Sequence, residues 1–168
     1  SSFILITSNF NEKVTFEIMI SIFSNTFKQD KNYFPIRGLF IEQFPLLHFF
    51  SFIFDKFLFI YIPKLKTHLE EHEIINELWI LKWLQTLFTI ILPINWCKRL
   101  WDNIFCENIF YMIKFSIALC IKISDKILEF QDQQNIMDFF IKLQESSLSS
   151  NNIILEEITN IDEIIKIS

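Results

Sequence analysis

The stretch WLQTLFTIILPINWCKRLWDNIFCE, residues 83–107, decides the fold. It reads as an apolar helix ending near Pro93, a short turn, and a second helix carrying Arg99, Trp101 and Asp102. Proline lacks an amide proton and clashes with the preceding turn of a helix, so it belongs at a turn or in a first helical turn. Large side chains flank the break on both sides. Two helices folded back on each other would bury that joint.

Working outward, the same reading gives helices along the whole chain. Asn11 is a candidate N-cap for a helix over 12–26, with Val14, Phe16, Ile18, Met19, Ile22 and Phe23 on a face wide enough for a central helix. Residues 28–37 read as a loop interrupted by Pro35 and closed by Gly38. A long apolar helix follows over 39–62, with a break expected near Pro45, and Pro63 opens a short amphipathic helix over 64–71. Residues 74–92 and 96–106 form the pair described above. Helices are expected over 108–123, over 126–130 behind a Ser124-Asp125 cap, and over 136–143. Residues 146–152 read as a polar linker, and 153–167 alternate isoleucine with acidic residues as a helical tail. No strand-type alternation persists, and hairpin dipeptides are absent. The expected fold class is all-α.

Composition narrows the function. At 168 residues, 51% of them hydrophobic and 17% aromatic, the chain can bury the core of one domain. A single glycine excludes a glycine-rich phosphate loop and a G-x-S-x-G nucleophile elbow. The net charge of −5 argues against a nucleic-acid partner, which would call for a basic face. Cys97, Cys106 and Cys120 are irregularly spaced in apolar helical surroundings and read as reduced thiols of an intracellular protein, with no disulfide frame. No basic region precedes the apolar patch at 3–6, so no signal peptide is expected.

Mean hydropathy is +0.33, which raises a membrane reading. Each apolar run, however, contains charge: Asp55 and Lys56, with His48 nearby, in 44–62; Lys82 in 78–92; Lys114 and Lys122 in 109–123. Charge at membrane depth is costly, so buried helices fit better and no transmembrane span is expected.

Two constellations could carry chemistry. His68-Leu-Glu-Glu71-His72 matches H-x-x-E-H, in which two histidines one turn apart hold zinc and the glutamate polarises water. Glu107, Glu145 and Glu156 are the available third carboxylates. The plainer reading is a solvated helix end, and no metal or cofactor is expected. Arg99 and Asp102, three apart, are expected to pair across one helical turn beside an inward-facing Trp101.

Residues 1–140 resemble the second half of a TBC domain, the all-helical fold of Rab GTPase-activating proteins. That family shows a tryptophan, a phenylalanine, Leu-Pro, Arg-x-Trp-Asp and then Glu-Gly. Here these are Trp83, Phe88, Leu92-Pro93, Arg99-Leu-Trp101-Asp102 and Glu107, with Asn108 in place of the glycine. Pro63-Lys-Leu-Lys-Thr-His68-Leu likewise resembles the family's Pro-x-Leu-x-x-His-Leu, which accounts for His68 without zinc.

The resemblance implies residues 1–145 as the C-terminal part of a TBC-like domain and 146–168 as linker and tail. It also implies a Rab-family GTPase as partner and a cytoplasmic setting, peripheral to membranes. TBC domains donate an arginine that offsets charge on the transferred phosphoryl group and a glutamine that orients the attacking water. Their I-x-x-D-x-x-R and Y-x-Q motifs are both absent here: Arg37 and Arg99 lack the context, and Tyr33, Tyr61 and Tyr111 have no glutamine two places on. No catalytic residue is therefore assigned. With no initial methionine, the chain is expected to be a fragment missing its N-terminal half, or else a non-catalytic relative that binds a GTPase or another protein partner. An alternative function is a helical interaction module.

Overall fold

Prolines and short polar side chains set the ends of most helices. The structure, a computed structural model, describes residues 11–23, 36–145 and 160–168. Among these residues there are eight α-helices and no strand. They are α1 (Glu12–Phe23), α2 (Pro45–Tyr61), α3 (Pro63–Glu71), α4 (Glu77–Gln85), α5 (Ile94–Cys106), α6 (Tyr111–Leu128), α7 (Gln133–Glu145) and α8 (Ile161–Ile167), with a short 3-10 turn at Ile36–Leu39. The fold is all-α. The chain divides into two compact units, Ser1–Leu46 and Leu47–Ser168.

In the first unit Asn11 caps α1, its Oδ1 accepting from the Val14 amide at 3.1 Å. The chain's one glycine, Gly38, permits a close approach: a Cβ there would lie 2.9 Å from Cβ of Leu46. Val14, Phe16 and Ile18 of α1 are exposed, so the wide apolar face does not make α1 a central helix.

The central helix of the second unit is α6, buried from Tyr111 to Cys120 except at Lys114 and then on one face through Ile123, Ser124 and Ile127. It also joins the two helices expected at 108–123 and 126–130. Ser124 lies inside α6 and donates its hydroxyl to the Ile121 carbonyl at 2.8 Å, bonding back within the helix instead of capping a new one. An aromatic cluster packs around α4: Trp79 stacks on Phe140 at 4.4 Å, Trp83 meets Trp79 at 4.8 Å, and Phe54 meets Trp79 edge-on at 5.4 Å.

The charges inside the apolar run 44–62 have local explanations. Asp55 on α2 accepts from Lys66 Nζ at 2.5 Å and from Asn76 Nδ2 at 2.9 Å, joining α2, α3 and the start of α4. Partial burial works against the ionised carboxylate, but the hydrogen bonds from Lys66 and Asn76 prevail and hold Asp55 below its usual range. Lys56 lies over the exposed Phe52 ring at 5.3 Å. No single described helix is long and apolar enough to cross a membrane; α2 and α3 together reach that length but are bent by 114°.

The end of α3 shows how a glycine-poor chain stops a helix. Ile74 donates to the Leu69 carbonyl at 2.8 Å and Glu73 to that of Glu70 at 3.0 Å, the paired bonds of a Schellman motif. Glycine usually takes the left-handed position, yet Glu73 holds it at φ 55°. That conformation costs a side-chain-bearing residue roughly 1–2 kcal/mol, against about 0.5–1 kcal/mol for the extra chain entropy of glycine. Glu73→Gly is therefore expected to raise unfolding free energy by about 0.5 kcal/mol or slightly more in urea titrations. Glu73→Val should lower it, and a less stable glycine variant would contradict the strain assigned here.

Candidate functional site

The Leu-Pro joint begins with a second left-handed stop. Sequence places the end of the first helix near Pro93, but α4 ends at Gln85. Phe88 donates to the Trp83 carbonyl at 2.8 Å and Leu87 to that of Leu84 at 3.1 Å, again a Schellman pair. Leu87 and Phe88 have φ of 50° and 64°. Glycine would adopt these angles freely, but it would bury nothing here. Phe88 is fully buried, with its ring 5.1 Å from Phe115 and 6.5 Å from Trp83. The strain of the turn is offset by burial of large side chains.

Beyond the turn, Pro93 is the N-cap of α5, and its carbonyl accepts from the amides of Trp96 and Cys97, both at 3.0 Å. Trp96, Cys97, Leu100 and Ile104 form the buried stripe of α5. Trp101 flanks that stripe, half-buried, and donates Nε1–H to the Leu87 carbonyl at 3.0 Å. Its indole thus reaches across the joint to the strained turn. The Cys97 thiol donates to the carbonyls of Leu92 at 3.5 Å and Phe88 at 3.9 Å. Burial pushes that thiol up to about 12, so it stays protonated and is no nucleophile. Cys120 is buried with its thiol pushed up in the same way, and Cys106 is exposed.

Trp83, Phe88, Pro93 and Trp101 therefore meet in one construction. Arg99 and Asp102 do not pair. Arg99 is exposed on α5 and forms its ion pair with Asp162 of α8, leaving Asp102 exposed to solvent. Helical spacing allowed the local pair, but a carboxylate at the start of a later helix lies within reach of the guanidinium. Glu107 pairs with Lys114 at 3.2 Å across the α5–α6 connection.

Among the described residues, the H-x-x-E-H side chains gather no third ligand. His68 and His72 lie with rings 4.4 Å apart, but His72 Nδ1 is hydrogen-bonded to the His68 carbonyl at 2.8 Å. His68 Nε2 is buried without a hydrogen-bond partner among the described residues. No three histidine, cysteine, aspartate or glutamate side chains converge among those residues. Glu107 is engaged by Lys114, and the Glu145 side chain and Glu156 lie outside what is described.

Sequence reasoning missed Cys97 as a donor, the Leu87 carbonyl as an acceptor, and Asp162 and Glu163 as partners of α5 and α6. Only the last had a readable signal. Asn160 followed three places on by Glu163 is the pattern of a helix start: Asn160 Oδ1 accepts from the Glu163 amide at 3.0 Å, and the Asn160 side-chain amide donates to the Glu163 carboxylate at 3.1 Å.

The chain matches the Rab-GTPase-TBC domain over residues 2–128, which takes in α1 to α6 and the whole joint. It belongs to that family. Among its relatives, the GTPase-activating protein GYP5 of Saccharomyces cerevisiae is 24% identical over 129 residues, covering 77% of this chain and 13% of that protein. GYP5 of Eremothecium gossypii is 29% identical over 120 residues, covering 67% and 14%. Human TBC1 domain family member 1 is 32% identical over 79 residues, covering 47% and 7%. The chain thus spans about an eighth of the GYP5 proteins it matches.

Two substitutions separate the roles inside Arg-x-Trp-Asp. Trp101→Ala removes a half-buried ring and one cross-joint hydrogen bond, and is expected to cost about 2 kcal/mol, below the ~3–5 kcal/mol of a fully buried indole. Asp102→Ala is expected to stay within about 0.5 kcal/mol of the parent. Denaturant titration measures both, and equal losses would contradict this division.

Proposed function

We propose that this chain works as a TBC-type regulator of a Rab-family small GTPase in membrane traffic. In this reading the 168 residues engage the GTPase without supplying the catalytic pair. The observation that carries it is the family match, which coincides with the joint built from Trp83, Phe88, Pro93 and Trp101. Two relatives are named GTPase-activating proteins, which supports the same direction. Residues 1–145 make the TBC part and 146–168 the linker and tail. The setting is the cytoplasm, with recruitment to membranes through the Rab partner.

In GTPase activation an arginine offsets the charge of the transition state and a glutamine or equivalent holds the water. Arg37 lies in the 3-10 turn and Arg99 is paired with Asp162, and neither belongs to the family's arginine motif. The role left to these residues is structural and partner-binding: Trp101 and Arg99 hold the helices that present the surface.

Single-turnover GTP hydrolysis across a Rab panel, with binding measured in parallel on the GTP-loaded proteins, tests both parts. The expected result is saturable binding to at least one Rab with no acceleration that titrates with the chain. Acceleration would overturn the non-catalytic assignment. Failure to bind any Rab would overturn the partner.

A further inference from the structure

The helix α8 is held differently from the rest of the fold. It has seven residues, too few to be helical alone, and its first turn is closed by the N-cap Asn160, whose Oδ1 accepts from the Glu163 amide. Only Ile161 and Ile164, three apart, are buried. The remaining anchors are polar and lie on α5 and α6. Asp162 pairs with Arg99, Glu163 with Lys122 at 2.6 Å, and the Ser168 hydroxyl meets the Tyr111 hydroxyl at 2.7 Å.

Both ion pairs are partly exposed, so water and salt compete for them. The surface that receives α8 lies inside the family match, which ends at residue 128, while α8 lies outside it. Receptor and occupant are thus separable along the chain.

We propose that the face formed by α5 and α6 is a recognition groove for a short acidic amphipathic helix, occupied in this chain by α8 as a tethered, exchangeable ligand. The recognised pattern is what α8 shows: a capping side chain, two isoleucines three apart, and two carboxylates between them. The isoleucines supply the apolar anchor, and the carboxylates meet Arg99 and Lys122. When α8 leaves, Arg99 and Lys122 become available to a partner helix of the same chemistry. This inference does not depend on the GTPase reading.

Native-state hydrogen exchange on the full chain tests the exchangeable ligand. Amides 164–168 are expected to exchange by a local opening that leaves those in the middle of α6 protected, and the opening should increase with salt. Arg99→Glu is expected to raise that opening roughly two- to fivefold, with Arg99→Glu/Asp162→Lys restoring it. Exchange of α8 only together with α6, or no response to Arg99→Glu, would overturn the proposal.

The groove itself is tested with a synthetic peptide of residues 160–168. On the Arg99→Glu chain, a peptide carrying Asp162→Lys is expected to shift α5 and α6 resonances, while the parent peptide at equal concentration leaves them in place. Equal shifts with both peptides would show binding without charge recognition and would overturn the assignment, as would no shift with either.

Discussion

The structure depends on a left-handed turn made without glycine. Leu87 and Phe88 stand at positive φ immediately after α4, where the chain must reverse before Pro93 can open α5. Two kinds of interaction hold them there. Burial of Leu87 and Phe88 gives the turn an apolar reason to persist, and the Trp101 indole fastens the Leu87 carbonyl from the next helix. Four of the residues on which the family resemblance rests, Trp83, Phe88, Pro93 and Trp101, are therefore parts of one device. The Trp83 carbonyl accepts the closing bond, Phe88 fills the core beneath the turn, Pro93 caps the following helix and Trp101 spans the joint.

The polar groups nearest that device are engaged in packing and in hydrogen bonds to the backbone. Cys97 has the position of a buried thiol between two carbonyls, and burial keeps it protonated. His68 and His72 are bound into the end of α3, which stops on Glu73 by the same left-handed arrangement as α4. Arg99 reaches outward to α8, while the Trp101 indole and the Cys97 thiol reach back across the joint. Around the joint, Trp101 and Cys97 direct their polar atoms at backbone carbonyls of the turn.

Much of this was legible in the sequence where a local signal exists. Asn11 and Pro63 mark the helix starts they were expected to mark, and the break before Pro45 is present. Asp55 and Lys56 stood out in the sequence as charges within the apolar run 44–62, and Asp55 proves to join three segments. The misread positions are those where a general rule yields to packing. A helix stop is expected at glycine, so an apolar run through Leu87 and Phe88 reads as continuing helix. Serine and aspartate suggest a cap, but Ser124 bonds back to Ile121 inside a helix whose buried face continues through Ile123 and Ile127. The partner of Arg99 was out of reach of any short-range rule, since Asp162 is brought to it only by the docking of α8.

A double-mutant cycle between Leu87 and Trp101 tests the central claim most directly. Leu87→Gly removes the need to force a side-chain-bearing residue into the left-handed region, and Trp101→Phe removes the indole N–H while keeping an aromatic ring. If the indole holds the strained turn, Trp101→Phe should cost about 1 kcal/mol in the parent and markedly less in the Leu87→Gly background. Losses that add to within about 0.3 kcal/mol would show two independent sites and contradict the account.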